Sequence, residues 1–112
     1  MMSDTKQAFS VELQDTGHYQ SLFKKNGQLL TCGMHSGRVF LNPGDECGLH
    51  NTEDKEEMLV FLTGSGVAQV ENQLSIEIGA GKVLYMPPRT DHNIKNTGKE
   101  PLSYVFCVVP VK

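Results

Sequence analysis

Three side chains of metal-ligating type lie on separate predicted strands, each close to a turn rich in glycine or proline: His50, Glu57 and His92. Neutral imidazole nitrogens and a carboxylate oxygen bind zinc and divalent iron, manganese, nickel or cobalt. Two histidines and one carboxylate on a common face leave coordination positions open for water, oxygen or a substrate. Spacing alone is not selective, because any chain with four histidines offers such sets. The trio predicts a divalent-metal site if the fold brings the three strands together.

The elements that must position these residues are short strands. Helical periodicity is scarce, and turn signals recur about every 8–12 residues, which is typical of β-sandwiches and β-barrels. Segment 18–22 fits either a helical turn or a short strand. The other runs that favour strands are 11–13, 28–32, 38–41, 48–52, 56–62, 67–71, 75–78, 82–86, 92–96 and 102–109.

Two motifs carry a resemblance to a known family. Residues 44–64 read G-x5-H-x-T-x4-E-x6-G, and residues 81–96 read G-x5-P-x-R-x2-H-x3-N. In this order, with sixteen residues between them, they resemble the first and second motifs of small cupins, and the likeness covers about residues 38–110. Arg89 stands where the family usually has glycine. Because arginine tolerates a positive φ poorly, the type of that turn stays open.

The resemblance implies an all-β fold, a double-stranded β-helix in which two antiparallel sheets form a jelly-roll barrel with an open mouth. In this family the first motif supplies two histidines and a glutamate to a metal ion, and the second supplies a third histidine. By position, His50, Glu57 and His92 are three of these ligands, and Thr52 replaces the second histidine. Alternation places Thr52 inward beside His50, but a neutral hydroxyl is a poor ligand. The site is then a three-ligand centre completed by water, a weak centre, or no metal centre.

Each of these residues also fits a purely structural role, without a metal ion. Glu57 belongs to the charged run 53–57, and such runs are usually solvated. Its place at the head of an apolar strand favours the inward role. His50 and His92 fit either metal ligands or core histidines hydrogen-bonded to the backbone. His35 lies outside both motifs and is either a surface residue or a residue of the barrel mouth.

The wall of the predicted site is apolar. Leu59, Phe61 and Ile94 are expected to line the pocket together with one face of the last strand. If the odd positions of that strand face inward, Cys107 lines the pocket; if the even positions do, residues 104, 106 and 108 line it. The alternative for Cys107 is a small buried hydrophobe. A cysteine nucleophile has no support, because the spacing places no histidine beside a cysteine.

Composition excludes several classes of protein. The net charge is −3 and the pI is about 5.7, without the basic cluster that a nucleic-acid-binding protein needs. The longest apolar run, 104–109, is too short for a membrane span. The first ten residues have no apolar signal segment, so a cytoplasmic location is expected. The three cysteines, Cys32, Cys47 and Cys107, form no CxxC pair and are expected to be reduced.

The length of 112 residues fits one domain, divided into an N-terminal arm with short strands at 1–30 and the barrel at 31–112. Strands 56–62 and 104–109 are apolar on both faces, whereas a lone barrel should expose one polar face. We expect the outer face to be covered by a second subunit in a homodimer. Cover by the first thirty residues is the alternative.

These features predict a small cupin whose divalent metal (zinc, iron, manganese or nickel) binds a small organic molecule, and they leave open whether that molecule is converted. Cupins include isomerases, dioxygenases, decarboxylases and lyases, so the resemblance does not choose a reaction. The alternative is a metal-free cupin that binds a ligand without catalysis.

Overall fold

The computed structural model describes residues 7–112, and every regular element in that part is a β-strand. The strands are β1 (Tyr19–Leu22), β2 (Lys24–Lys25), β3 (Gln28–Leu29), β4 (His35–Leu41), β5 (His50–Asn51), β6 (Lys55–Thr63), β7 (Ser65–Val70), β8 (Ile76–Gly79), β9 (Val83–Met86), β10 (Asp91–Lys95) and β11 (Leu102–Pro110). None of the described residues forms a helix that could cross a membrane.

The strands form two facing antiparallel sheets. The larger sheet has the order β1-β4-β11-β6-β9, and the smaller has the order β5-β10-β7-β8. Strands β2 and β3 make a separate two-stranded ribbon. The prediction of an all-β barrel of two antiparallel sheets is confirmed.

The core lies between the sheets and follows strand alternation. In β6, Glu57, Leu59 and Phe61 point inward and are buried, while Met58 and Leu62 point outward and are exposed. This is the division that the sequence pattern predicts. The buried cluster that joins the two sheets consists of Val39, Leu41, Leu59, Phe61, Ala68, Val70, Ile78, Leu84, Met86, Ile94, Leu102 and Tyr104.

Side chains on the outer face of the larger sheet hold residues 12–17 of the N-terminal arm. Arg38 is only 2% exposed and donates hydrogen bonds to the carbonyl oxygens of Thr16 and Gly17 at 2.8 and 3.0 Å. Gln20, which pairs with Arg38 in the ladder, donates to the Glu12 carbonyl at 3.0 Å. The predicted strand at 11–13 is therefore wrong, because side chains rather than a ladder hold this backbone. Segment 18–22 contains strand β1, so the larger sheet begins within the segment predicted to be the arm.

The arm leaves the other part of that outer face uncovered. The exposed apolar side chains on β6 and β9 are Met58 (48%), Leu62 (43%), Val83 (63%) and Tyr85 (60%). Strand β9 is the edge of the larger sheet, since it pairs only with β6. The sequence suggested two ways to cover this outer face, a second subunit or the N-terminal residues. The arm covers the β1–β4 side, and the β6–β9 side is open in a single chain.

Candidate metal centre

Glu57 and His92 face each other across the barrel interior. Glu57 is on β6 of the larger sheet and His92 is on β10 of the smaller one. Both side chains are buried, and His92 Nε2 lies 3.3 Å from Glu57 Oε1. A charged or polar side chain so far from water requires a partner, because burial without one is costly.

His50 joins this pair through strand pairing. Strand β5 is only two residues long, and its ladder with β10 places His50 directly opposite His92. The two imidazole ring centroids are 4.1 Å apart. One ligand atom from each of His50, Glu57 and His92 lies within 4.8 Å of the others. The three residues that the sequence singled out are therefore brought together, with His50 on the exposed side.

Backbone carbonyls fix the orientation of both imidazoles. Nδ1 of His50 is 2.8 Å from the Gly48 carbonyl oxygen, and Nδ1 of His92 is 3.0 Å from that of Thr90. A carbonyl oxygen can only accept, so each Nδ1 carries a proton and donates it. Nε2 is then the only nitrogen of each ring that can bind a metal ion, as in metal sites whose histidines are oriented by a second hydrogen bond.

The donor set fits a divalent metal ion. Nε2 of His92 is fully buried and has no hydrogen-bond partner, although a carboxylate oxygen lies opposite. Two electron-rich atoms face each other favourably only when a proton or a metal cation lies between them. Two imidazole nitrogens and one carboxylate oxygen are also the donors that zinc and divalent iron, manganese and nickel accept.

Thr52, which stands at the position of the second histidine of the first motif, holds a neighbouring loop by hydrogen bonds. It lines the cavity and is buried, but its hydroxyl donates to the Pro87 carbonyl at 2.6 Å and accepts the Thr90 N–H at 3.1 Å. The Thr90 carbonyl in turn holds His92. Thr52 therefore fastens the loop between β9 and β10 that orients one of the two histidines. In the same loop Arg89 adopts φ = 51° and donates its N–H to the Glu53 carbonyl at 2.8 Å, so the turn keeps a positive φ without glycine.

Cys47 is a residue of this site that sequence reasoning missed. Its sulfur accepts the Ile94 N–H at 3.3 Å and lies in the cavity wall. Hydrogen bonding with Cys47 raises the pKa of His50 to about 9; the Gly48 carbonyl and the Glu57 charge act in the same direction, while burial opposes them. The sequence spacing placed no histidine beside a cysteine, whereas in the structure Cys47 and His50 line the same cavity. The proximity depends on the backbone bend at Gly48, whose φ is 102°, and the spacing of the two residues does not reveal that bend.

Asn93 fixes the turn that carries Gly48. Its Oδ1 accepts the Gly48 N–H at 2.9 Å, and its Nδ2 donates to Glu46 Oε1 at 2.7 Å. Asn93 is itself buried on β10, next to His92. The Gly48 carbonyl that orients His50 is thus tied to the same strand that carries the second histidine.

The three residues open into a cavity of about 320 Å³. Its apolar wall consists of Val39, Leu59, Ile94, Tyr104, Phe106 and Val108. Leu59 and Ile94, which the sequence suggested as wall residues, are among the side chains that line it. The even positions of β11 line the wall.

Two predicted wall residues need correction. Cys107 points outward, because β11 turns Tyr104, Phe106 and Val108 inward, and its thiol lies near Met58 and Tyr85 on the outer face. Phe61 is buried below the cavity, where its ring packs against Tyr104 with centroids 5.0 Å apart.

His35 is exposed and lies opposite Val108 in the ladder, but it is not among the residues that line the cavity. Of the two residues before Pro87, Met86 is in the core and Tyr85 is on the outer face.

The fold and the site together define a small β-barrel with a two-histidine, one-carboxylate cluster at its open end. A family model described as the cupin domain matches residues 37–109. The chain belongs to the cupin family.

Sequence relatives share part of their length with this chain. A protein of Methanocaldococcus jannaschii described as uncharacterised is 34% identical over 67 residues, which is 60% of this chain and 53% of that protein. The oxalate-binding protein of Thermotoga maritima is 33% identical over 72 residues, covering 64% of this chain and 59% of the relative. The chain thus spans little more than half the length of these two relatives.

Solved structures share the fold over more of the chain. A predicted oxalate decarboxylase from Thermotoga maritima superposes with a TM-score of 0.65 at 30% identity, covering 69% of this chain and 66% of that one. A cupin protein from Bacteroides fragilis gives a TM-score of 0.76 at 23% identity, with coverages of 98% and 87%.

Replacing Thr52 with valine should destabilise the barrel. Valine has nearly the same shape but leaves the Pro87 carbonyl and the Thr90 N–H without their partner. We expect the free energy of unfolding to fall by about 1–3 kcal/mol in urea titrations. Thr52→Ser, which keeps the hydroxyl, is the matched control. Equal stability of the valine variant and the wild type would show that the hydroxyl does not fasten this loop.

Replacing Asn93 with alanine should weaken metal binding without unfolding the protein. The change frees the Gly48 N–H and so loosens the carbonyl that orients His50. We expect zinc affinity to fall by about tenfold, measured by competition with a chromophoric chelator. Gln69→Ala is the control, because its amide lies 3.5 Å from Asn93 but does not contact Gly48. An unchanged affinity in Asn93→Ala would exclude this positioning role.

Proposed function

We propose that this protein binds a divalent metal ion through His50, Glu57 and His92 and uses it to hold a small organic ligand for conversion. The observation that carries the proposal is the pair of imidazoles whose Nδ1 atoms are bonded to backbone carbonyls, with the Glu57 carboxylate 3.3 Å from one Nε2. This arrangement leaves both Nε2 atoms for one ion. When bound, such an ion acts as a Lewis acid and orients oxygen donors of the ligand.

The chain's own residues supply the rest of the site. The apolar wall formed by β4, β6, β10 and β11 excludes water from the ligand. Burial, together with the neighbouring Cys47, holds the pKa of Tyr104 well above its ordinary value, so the phenol stays neutral in this wall. The cavity is at the lower end of the 300–1,000 Å³ range typical of ligand pockets, which favours a small ligand.

The names of the relatives support a carboxylate ligand. One relative at 33% identity is described as oxalate-binding, and a solved structure at 30% identity is described as a predicted oxalate decarboxylase. A carboxylate is also the group that a metal ion at the base of an apolar pocket binds well. The names of these two relatives do not determine a reaction type for this chain.

A metal-free ligand-binding cupin is the second candidate function. It is favoured by Thr52, whose hydroxyl is engaged with Pro87 and Thr90 and leaves only three ligands. Elemental analysis distinguishes the two candidates.

Untagged protein purified without chelator should retain about one equivalent of zinc, iron, manganese or nickel. The His50→Ala/His92→Ala double variant should lose it, because only one ligand remains. The measurement is inductively coupled plasma mass spectrometry. His18→Ala is the control, since His18 is exposed and outside the cavity. No metal in the wild type, even after reconstitution, would overturn this proposal in favour of the metal-free candidate.

We also propose that two copies of the chain associate through the open β6–β9 outer face. Met58, Leu62, Val83 and Tyr85 are exposed apolar side chains on the outer face of β6 and of the edge strand β9, and Met58 lies opposite Tyr85 in the ladder. Such apolar faces commonly mark protein–protein interfaces.

We further propose a reducing compartment such as the cytoplasm. The described thiols, Cys32, Cys47 and Cys107, are all free, which supports this location.

Light scattering at micromolar concentration should give a dimer mass for the wild type and a monomer mass for Met58→Lys/Val83→Lys. Two charges on this face would remain unpaired in the interface. Leu74→Lys is the control, because Leu74 is 89% exposed on the β7–β8 connection, away from the β6–β9 outer face. A monomeric wild type would contradict the proposed dimer.

A further inference from the structure

The cavity has an uneven set of charges. Glu57 is its buried anion, and Glu53 adds a second carboxylate at the exposed rim. Among the described residues, Lys55 is the only lysine or arginine that lines the cavity. Its ammonium group lies at the rim, 3.2 Å from the carboxylate of Asp54. With His50 and His92 bound to the ion as neutral imidazoles, the described residues place no other side-chain cation in the interior to balance an anionic ligand.

The best-buried arginine does not supply one. Arg38 is on the outer side of β4, where its guanidinium bonds to the carbonyls of Thr16 and Gly17. The inward neighbours on that strand are Gly37 and Val39. Any compensation of ligand charge inside the cavity must come from the metal ion alone.

Charge balance then limits the ligand. A divalent ion and the Glu57 carboxylate together carry one positive charge, which a single carboxylate neutralises. A dicarboxylate would leave one negative charge against an apolar wall, where an uncompensated charge is costly. Chelation of the metal needs a second oxygen donor, and neutrality requires that donor to be a hydroxyl or a carbonyl.

The apolar wall adds a second requirement. Six apolar or aromatic side chains face the site, and Gly37 makes room for one of them, since a Cβ there would lie 2.7 Å from the Phe106 ring. Tyr19 stacks against that ring, with centroids 6.2 Å apart. A ligand made only of carboxylates has no apolar group that could pack against this wall. Each methylene buried against it would raise affinity by about fourfold.

We propose that the ligand is a 2-hydroxy or 2-oxo monocarboxylic acid with an aliphatic or aromatic side chain. Its carboxylate and adjacent oxygen bind the metal ion, and its side chain packs against Leu59, Ile94 and Phe106. This inference rests on the proposed metal-dependent function and deepens it. It also separates the chain from the oxalate that its relative's name specifies.

Isothermal titration of zinc-loaded protein tests the side-chain requirement. Glycolate, 2-hydroxy-4-methylpentanoate and mandelate share one chelating group, so differences among them report the cavity wall. We expect the two larger acids to bind at least about tenfold more tightly than glycolate. The acid 4-methylpentanoate, which lacks the second oxygen, should bind more weakly than its 2-hydroxy form. Phe106→Ala should reduce the preference for the larger acids while metal content stays at one equivalent.

A matched pair of small probes tests the charge requirement. Oxamate has nearly the shape of oxalate but one charge fewer. Val108→Lys places a cation at the cavity wall and should raise oxalate affinity more than oxamate affinity, whereas Val108→Met should not. Failure to retain zinc would overturn both the proposed function and this inference. Retained zinc with equal binding of glycolate and mandelate, or an unchanged oxalate-to-oxamate ratio in Val108→Lys, would overturn this inference alone.

Discussion

The candidate site depends on two hydrogen bonds from imidazole Nδ1 atoms to backbone carbonyls. The Gly48 carbonyl holds His50 and the Thr90 carbonyl holds His92, so both rings present Nε2. Each carbonyl belongs to a loop rather than to a strand, and each loop is fastened by one buried polar side chain. Asn93 fastens the first and Thr52 the second. Much of the polar network at this end of the barrel thus maintains two ring orientations.

The same two loops show how the barrel accommodates a threonine where the family usually has a histidine. The hydroxyl of Thr52 is too well bonded to serve a metal ion, but those same bonds stabilise the loop that orients His92. At this position a residue that positions His92 takes the place of a metal-ligating histidine. Cys47, three residues before His50, adds a sulfur to the cavity wall that the family motif does not include.

Strand alternation and motif spacing predicted much of the fold and of the site. Glu57, Leu59 and Phe61 share a face because side chains alternate along β6, and His50 meets His92 because β5 pairs with β10. The pattern could not choose the inward face of β11, since both faces are apolar, and so it could not decide whether Cys107 lines the pocket. The pattern also could not show that Leu59 lines the cavity while Phe61 is buried below it, because the two residues lie on the same face of β6. The Cys47–His50 contact needed the bend at Gly48, a backbone feature that spacing does not encode.

The most direct test of this account is anomalous diffraction from a crystal of the zinc-loaded protein. We expect one ion at about 2.0–2.2 Å from Nε2 of His50, Nε2 of His92 and a carboxylate oxygen of Glu57, with the Thr52 hydroxyl still hydrogen-bonded to the Pro87 carbonyl. An ion bound through either Nδ1, or bound to Cys47 without Glu57, would contradict it.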